Sequence, residues 1–347
     1  MKKSLIALAV LAASGASFAQ SSVTIYGLAD VWFGSVKTND GSGTNKSVTQ
    51  LSSGGVNTSR WGIKGSEDLG GGLKANFKLE QGFNIDTGTS GSSDGQTATQ
   101  TFSRESYVGL SGGFGEVRLG KTWDAYDDVS GASDAMFDAN ALAPMKYVFK
   151  STNYLSNPAN QVYYATPTFG GFAGAVSYAL AEDPRDGSST AANAKVSVSA
   201  FNVTYGAGPV AAQLGYQVQH SNVNGQDDQK FTRLGGSYDF GVVVGKLTYG
   251  HVSNVGYVQG SDAREYQIGV DYPVTSALTL SASYAKSDDD NSNGVFEQKR
   301  KAYGIGAAYT LSKRTFLYTG YTFAKGTQEF ADDETTKALA FGVEHKF

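Results

Sequence analysis

The sequence has no cysteine, six prolines and three histidines among its 347 residues. Without cysteine there is neither a disulfide framework nor thiol chemistry. No His-Glu-x-x-His pair and no Cys/His cluster occurs, so a structural zinc site is not expected, and no cofactor is expected either. Beyond the first twenty residues no apolar run approaches the ~20 residues that a membrane helix needs. Gly113-Phe114-Gly115 is a turn rather than a nucleotide loop, since no helical pattern follows it. His220 sits at a loop edge, and His251 and His345 share parity with outward apolar residues. None of the three stands beside a Ser/Asp constellation in the sequence, so an enzyme is not expected.

What is present begins with an export signal. Lys2 and Lys3 precede an apolar stretch from Leu5 to Ala13, and Ser17-Phe18-Ala19 forms a small-x-small cleavage site. Residues 1–19 are therefore expected to be removed, leaving a single domain over 20–347. Loss of Lys2 and Lys3 leaves 26 basic against 32 acidic residues, a net charge of −6, which argues against a nucleic-acid partner.

Glycine (44), tyrosine (20) and phenylalanine (19) are abundant, while mean hydropathy is only −0.27. Strict alternation reconciles the two. Leu73, Ala75, Phe77 and Leu79 interleave with Lys74, Asn76, Lys78 and Glu80. Val210, Ala212, Leu214, Tyr216 and Val218 interleave with Ala211, Gln213, Gly215, Gln217 and Gln219, and the segments 265–272, 277–286 and 301–311 behave alike. Side chains alternate across a strand, so each segment has one face suited to lipid and one suited to water.

Sixteen such strands are predicted near 22–36, 57–67, 73–85, 101–112, 115–123, 159–168, 171–182, 194–205, 209–220, 229–240, 243–253, 263–272, 277–286, 298–311, 314–325 and 335–347. Long polar connections at 37–56, 86–100, 124–158, 183–193, 221–228, 254–262, 287–297 and 326–334 alternate with short ones at 68–72, 113–114, 206–208 and 312–313, among others. Such alternation puts every long loop at one end and both termini at the other. The expected fold is all-β: a transmembrane antiparallel barrel with short periplasmic turns and long external loops.

Several stretches resemble the general porins of Gram-negative bacteria, in particular their betaproteobacterial branch. They are Ser22 to Gly27 (SVTIYG), Ser59 to Gly70 (SRWGIKGSEDLG), Tyr107 to Ser111 (YVGLS) with Phe114-Gly115, and Tyr309 to Thr315 (YTLSKRT). The resemblance implies a sixteen-stranded homotrimer in the outer membrane, in contact with its lipid and lipopolysaccharide. It also implies a third external loop folded into the lumen, and passive diffusion of ions and small hydrophilic solutes. The longest connection, 124–158, is the third on the external side. The terminal strand carries Leu339, Phe341, Val343 and Phe347 on one parity, and Phe347 is similar to the assembly signal of such barrels.

A diffusion channel does no bond chemistry, so its function lies in lumen radius and in the field at the constriction. Trp61 and Ile63 point one way, which aims Arg60 and Lys64 into the lumen; Arg60 matches the family's pore-wall arginine in Ser-Arg-x-Gly. Lys121 occupies the family's next basic position, although parity with Val117 and Leu119 puts it on the lipid side. The facing of Arg104 is open, and Arg118 and Glu116 are placed to pair with each other. On the loop, Asp124, Asp127, Asp128, Asp134 and Asp138 are the candidate acids, with Lys146 and Lys150 nearby. An arginine common in the family before the sixth strand is missing from Ser156-Asn157-Pro158-Ala159-Asn160-Gln161, which weakens the expected basic ladder. The sign of ion selectivity stays open, as do a substrate-selective channel, a surface or adhesion barrel, and an external Ca²⁺ site at Asp288, Asp289 and Asp290.

Overall fold

A computed structural model describes residues 22–91, 101–181, 196–222, 224–290, 298–328 and 331–347. The expected leader 1–19 and the expected loop 183–193 lie outside the described residues. Sixteen antiparallel strands close into one barrel. They are β1 (Ser22–Asp40), β2 in two arms (Asn45–Ser53 and Arg60–Gly70), β3 (Leu73–Phe83), β4 in two arms (Ser90–Gly91 and Glu105–Gly112), β5 (Gly115–Lys121), β6 (Gln161–Ala165), β7 (Phe172–Ala179) and β8 (Val196–Ala207). The circuit continues through β9 (Val210–Ser221), β10 (Gln229–Asp239), β11 (Val244–Ser253), β12 (Asp262–Pro273), β13 (Leu278–Asp290), β14 (Gln298–Ser312), β15 (Thr315–Gln328) and β16 (Ala331–Lys346). The ladder between β1 and β16, from Leu28 opposite Lys346 to Asp40 opposite Glu334, closes the circle.

The alternation read from sequence is the alternation of the wall. Leu234, Leu247, Ile268 and Ile305 face outward and are more than half exposed. Leaving each of them in water would forgo on the order of 1–2 kcal/mol, so this face is built for hydrocarbon. The residues between them turn inward: Gln217, Arg233, Thr248, Glu265 and Gln267 are all buried. At the short-loop end, Gly71 and Gly72 adopt φ +62° and +82°, the left-handed pair that a two-residue hairpin demands.

Several expected external loops prove to be strand. In place of a loop over 37–56, β1 runs to Asp40 and its partner arm returns at Asn45, with Val36 opposite Val48. Likewise β13 continues to Asp290, β15 to Gln328 and β16 starts at Ala331. These extensions rise beyond the apolar band, where both faces of a strand are wet. No hydropathy alternation marks them, and cross-strand ion pairs such as Arg300 with Asp289 (2.7 Å) and Lys325 with Asp333 support them instead.

The connection between β5 and β6 folds inside the barrel and is not structureless. It contains α1 (Asp127–Ser130), a 3-10 turn at Met136–Asp138, α2 (Pro144–Val148) and a second 3-10 turn at Lys150–Thr152. The apolar core lies between this loop and the wall. Met136, Leu142 and Ala143 pack with Trp32, Val56 and Tyr318; Tyr126 packs with Tyr163, Phe231 and Val252; Met145, Val148 and Phe149 pack on Ala285, Ala302 and Ala324.

Candidate functional site

Glycines on the inner wall make the seat for this loop. A Cβ at Gly215 would meet Val129 at 2.7 Å; at Gly250, Ser151 at 2.7 Å; at Gly304, Pro144 at 3.0 Å; at Gly306, Met136 at 3.0 Å; at Gly320, Leu142 at 3.0 Å. Gly235 and Gly269 are pressed still closer by Ser133 and Ala135. Six strands from β9 to β15 thus lack side chains where the loop rests, and the lumen stays open on the opposite side.

Polar ties then hold the loop down. Arg233, fully buried, donates to the Ser130 carbonyl and to Ser151 Oγ (2.8 Å), with its guanidinium 5.6 Å from the Tyr126 ring centre. Glu265, also buried, accepts from the backbone N–H groups of Lys150 and Ser151. At the far end, Asn140 and Ala141 donate from backbone N–H to the carbonyls of Val56 (3.3 Å) and Gly55 (2.9 Å). Those carbonyls belong to the segment that interrupts β2. Asp30 fixes that segment by accepting the N–H groups of Gly55 (3.0 Å), Val56 (2.9 Å) and Asn57 (2.7 Å), together with the Tyr318 hydroxyl. Three converging amides satisfy a carboxylate that would otherwise be costly to bury.

What remains is an open cavity of about 880 Å³ between wall and loop. Arg60, Arg104 and Trp123 line one part; Asp127, Asp128, Asp138, Asn140 and Lys146 line the other, with Arg233 at the base. Arg60 keeps its side chain 26% exposed, donates to the Thr58 carbonyl (3.0 Å) and lies 3.8 Å from Glu80. Arg104 is only 9% exposed; it is bound to Glu80 at 2.7 Å and stacked 4.8 Å from the Trp123 ring centre.

The expected loop acids divide. Asp127 and Asp128 reach the cavity and accept from hydroxyls, those of Tyr154 and Tyr163 respectively, and Asp128 also from the Asn202 amide. Asp138 reaches it too but is paired with Lys146 at 2.9 Å. Asp124 and Asp134 do not line it. They are buried against the far wall, where the inward amides of Gln217 and Gln267 receive them. Burial pushes the carboxyls of Asp127 and Asp134 up to about 7, and raises that of Asp124 as well.

Among the expected cations, Lys64 lies on the wall beside the cavity, 5.1 Å from the Tyr26 ring centre. Lys121 does not line the cavity. Gly120, at φ +137°, bends the end of β5, and the Lys121 ammonium donates to the Asn157 carbonyl at 2.6 Å. Sequence reasoning overlooked Lys78, which bridges Glu80 (3.4 Å) and Glu105 and faces Lys64 across the ladder. Its inward parity in the 73–80 alternation was the available signal. Arg118 pairs with Glu116 at 2.7 Å and sits between the rings of Tyr107 and Tyr163, 5.3 and 4.7 Å from their centres.

Two further readings change. Asp288, Asp289 and Asp290 each have a cation within reach, Lys286, Arg300 and Arg264, so the charges proposed for Ca²⁺ are already answered. His220, which looked solitary, stands between Ser199 Oγ (3.1 Å) and Asp228 Oδ2 (2.8 Å).

Comparison with known proteins adds a family and a set of relatives. A family model described as Gram-negative porin matches residues 5–329. Outer membrane porin protein 32 of Delftia acidovorans is 36% identical, covering 94% of this chain and 90% of its own. An outer membrane porin protein of Bordetella pertussis is 31% identical over the whole of both chains. Among solved structures, the anion-selective porin from Comamonas acidovorans superposes with a TM-score of 0.76 at 28% identity, covering 94% of this chain and all of that one.

Proposed function

Because the chain belongs to the Gram-negative porin family and is a passive diffusion channel of the outer membrane, we propose that the cavity between Arg60 and the β5–β6 loop is its selectivity filter and that the filter weakly favours anions. One contrast carries this reading. Arg60 presents a cation that no acid holds closely, whereas the acids opposite it are paired with Lys146 or bound by hydroxyls. An anion about 6 Å from a guanidinium gains ~3 kcal/mol at an effective dielectric near 20, against less than ~1 kcal/mol in bulk water. Wall acids Glu80 and Glu105 offset much of the basic side, so the preference is weak. The Comamonas relative is an anion-selective porin, which is in keeping with this sign.

Planar-bilayer recording under a KCl gradient tests the reading. The expected result is large ohmic steps with a reversal potential of the anion-preferring sign. The cation-preferring sign overturns the filter assignment, and small steps blocked by a single solute would make this a substrate-selective channel.

Three further features belong to the same reading. The functional unit is a homotrimer, as in the trimer form of a Vibrio cholerae neighbour. The outward apolar face meets outer-membrane lipid, and the external rim meets lipopolysaccharide. The mature chain starts at Gln20, and Phe347 acts as its assembly signal. In support of the last point, Phe347 exchanges backbone hydrogen bonds with Gly27 (2.9 and 3.0 Å) and so pins the last strand to the first.

A further inference from the structure

We propose that Ser199, His220 and Asp228 form a hydrolytic triad for acyl esters of membrane lipid, on the outer face of the barrel and apart from the channel. Ser199 lies on β8 between the buried Val198 and Ala200, so it points outward, as does Phe201 two residues on. His220 lies at the end of β9, on the parity opposite the buried Gln217 and Gln219. Its ring bridges Ser199 Oγ at Nε2 (3.1 Å) and Asp228 Oδ2 at Nδ1 (2.8 Å).

The chemistry of the partners orients this chain. An ionised carboxylate only accepts, so Nδ1 carries the imidazole proton, Nε2 is bare, and the Ser199 hydroxyl donates to it. That is the arrangement in which a histidine removes the proton of a serine nucleophile. Asp228 is itself held: its Oδ1 accepts the Ser221 N–H (3.2 Å), and its carbonyl accepts the Asn254 amide (2.9 Å).

Position selects the substrate. The three residues lie at the long-loop end, with Tyr178 directly opposite Ser199 and with Phe201 and Tyr216 below them on the outward face. Interfacial aromatics mark the level of lipid headgroups, where acyl chains join them through ester bonds. Lys230 is exposed on β10 and stands opposite Val218, which on its other side stands opposite Ser199. Two strand spacings of roughly 4.8 Å separate Lys230 from Ser199, within reach of its side chain toward an oxyanion or a phosphate.

Ser199 Oγ attacks the ester carbonyl carbon while His220 Nε2 takes its proton. The bond to the alcohol oxygen breaks, and that oxygen takes the proton from His220. Water then attacks the acyl-serine, passes a proton through Nε2 back to Ser199 Oγ, and releases a fatty acid.

The test uses the full-length barrel reconstituted in vesicles of phosphatidylethanolamine, or of phosphatidylethanolamine with lipid A labelled in its acyl chains. Fatty-acid release and fluorophosphonate labelling at Ser199 are measured for wild type, Ser199→Ala, His220→Gln and Asp228→Asn, with conductance confirming that each is folded. The proposal expects release from one or both lipids, abolished by Ser199→Ala and His220→Gln and lowered about tenfold or more by Asp228→Asn. The lipid that is cleaved names the source of the ester. Release from neither, or release that Ser199→Ala leaves intact, overturns it and makes the three residues a hydrogen-bonded rim.

Discussion

Arg104 binds Glu80 through Nε at 2.7 Å, both side chains largely out of solvent, while Arg60 stays 3.8 Å from the same carboxylate. Two arginines of one cavity therefore serve different ends. Arg104 neutralises a buried acid, and Arg60 acts on what passes. Arg60→Ala is expected to lower the anion-to-cation permeability ratio roughly threefold, or ~0.7 kcal/mol, the part of the ~3 kcal/mol attraction that is left once Glu80 and Glu105 offset it and lumen water screens it. Reversal potentials under a salt gradient read this directly, and an unchanged value removes Arg60 from the filter.

Arg104→Ala should behave otherwise. It strands Glu80, which Lys78 answers only in part, and removing one partner of a buried pair costs on the order of 3 kcal/mol. A lowered thermal midpoint with a smaller selectivity change than Arg60→Ala is the expected pattern.

Acidity offers an independent handle on the loop. The Asp127 carboxyl, pushed up to about 7 by burial, loses its charge as pH falls through neutrality. The lumen gains positive charge in that step, so anion preference should increase from pH 8 to pH 5.5. The three histidines lie on the outward face of their strands. Asp127→Asn should weaken the dependence, as seen in reversal potentials recorded across the range, and Asp134, also pushed up to about 7, supplies what remains.

Asp30 couples two structures that are distant in sequence. Asp30→Ala frees three amide groups at 55–57 and loosens the segment on which Asn140 and Ala141 rest. A loss of at least ~2 kcal/mol follows from the unmade hydrogen bonds. Single-channel traces should show a larger, noisier conductance as the loop tip detaches; an unchanged conductance would mean that the loop holds without it.

How much of this could be read beforehand follows from what each part depends on. Strand positions within the apolar band were legible because alternation such as Leu73, Ala75, Phe77, Leu79 is a local property. The tops of β1, β13 and β15 were not, since a strand wet on both faces looks like a loop. Arg60 was legible from the parity of Trp61 and Ile63. Asp124 and Asp134 were not separable from Asp127 and Asp128, because Gln217 and Gln267, which draw them aside, lie 93 and 133 residues away. The Ser199, His220 and Asp228 arrangement required the register of β8 against β9, which no short window contains.

The glycine seat implies that the aperture is set by volume withheld from the wall. A side chain grafted there acts as a shim. Gly269→Val, beneath Ala135, should tilt the inserted segment toward the centre and reduce conductance while every charge stays in place. Bore and polarity are thus separate dials, one turned on the β9–β15 side and the other on the β1–β4 side, and a lineage of such channels can tune either without disturbing the other.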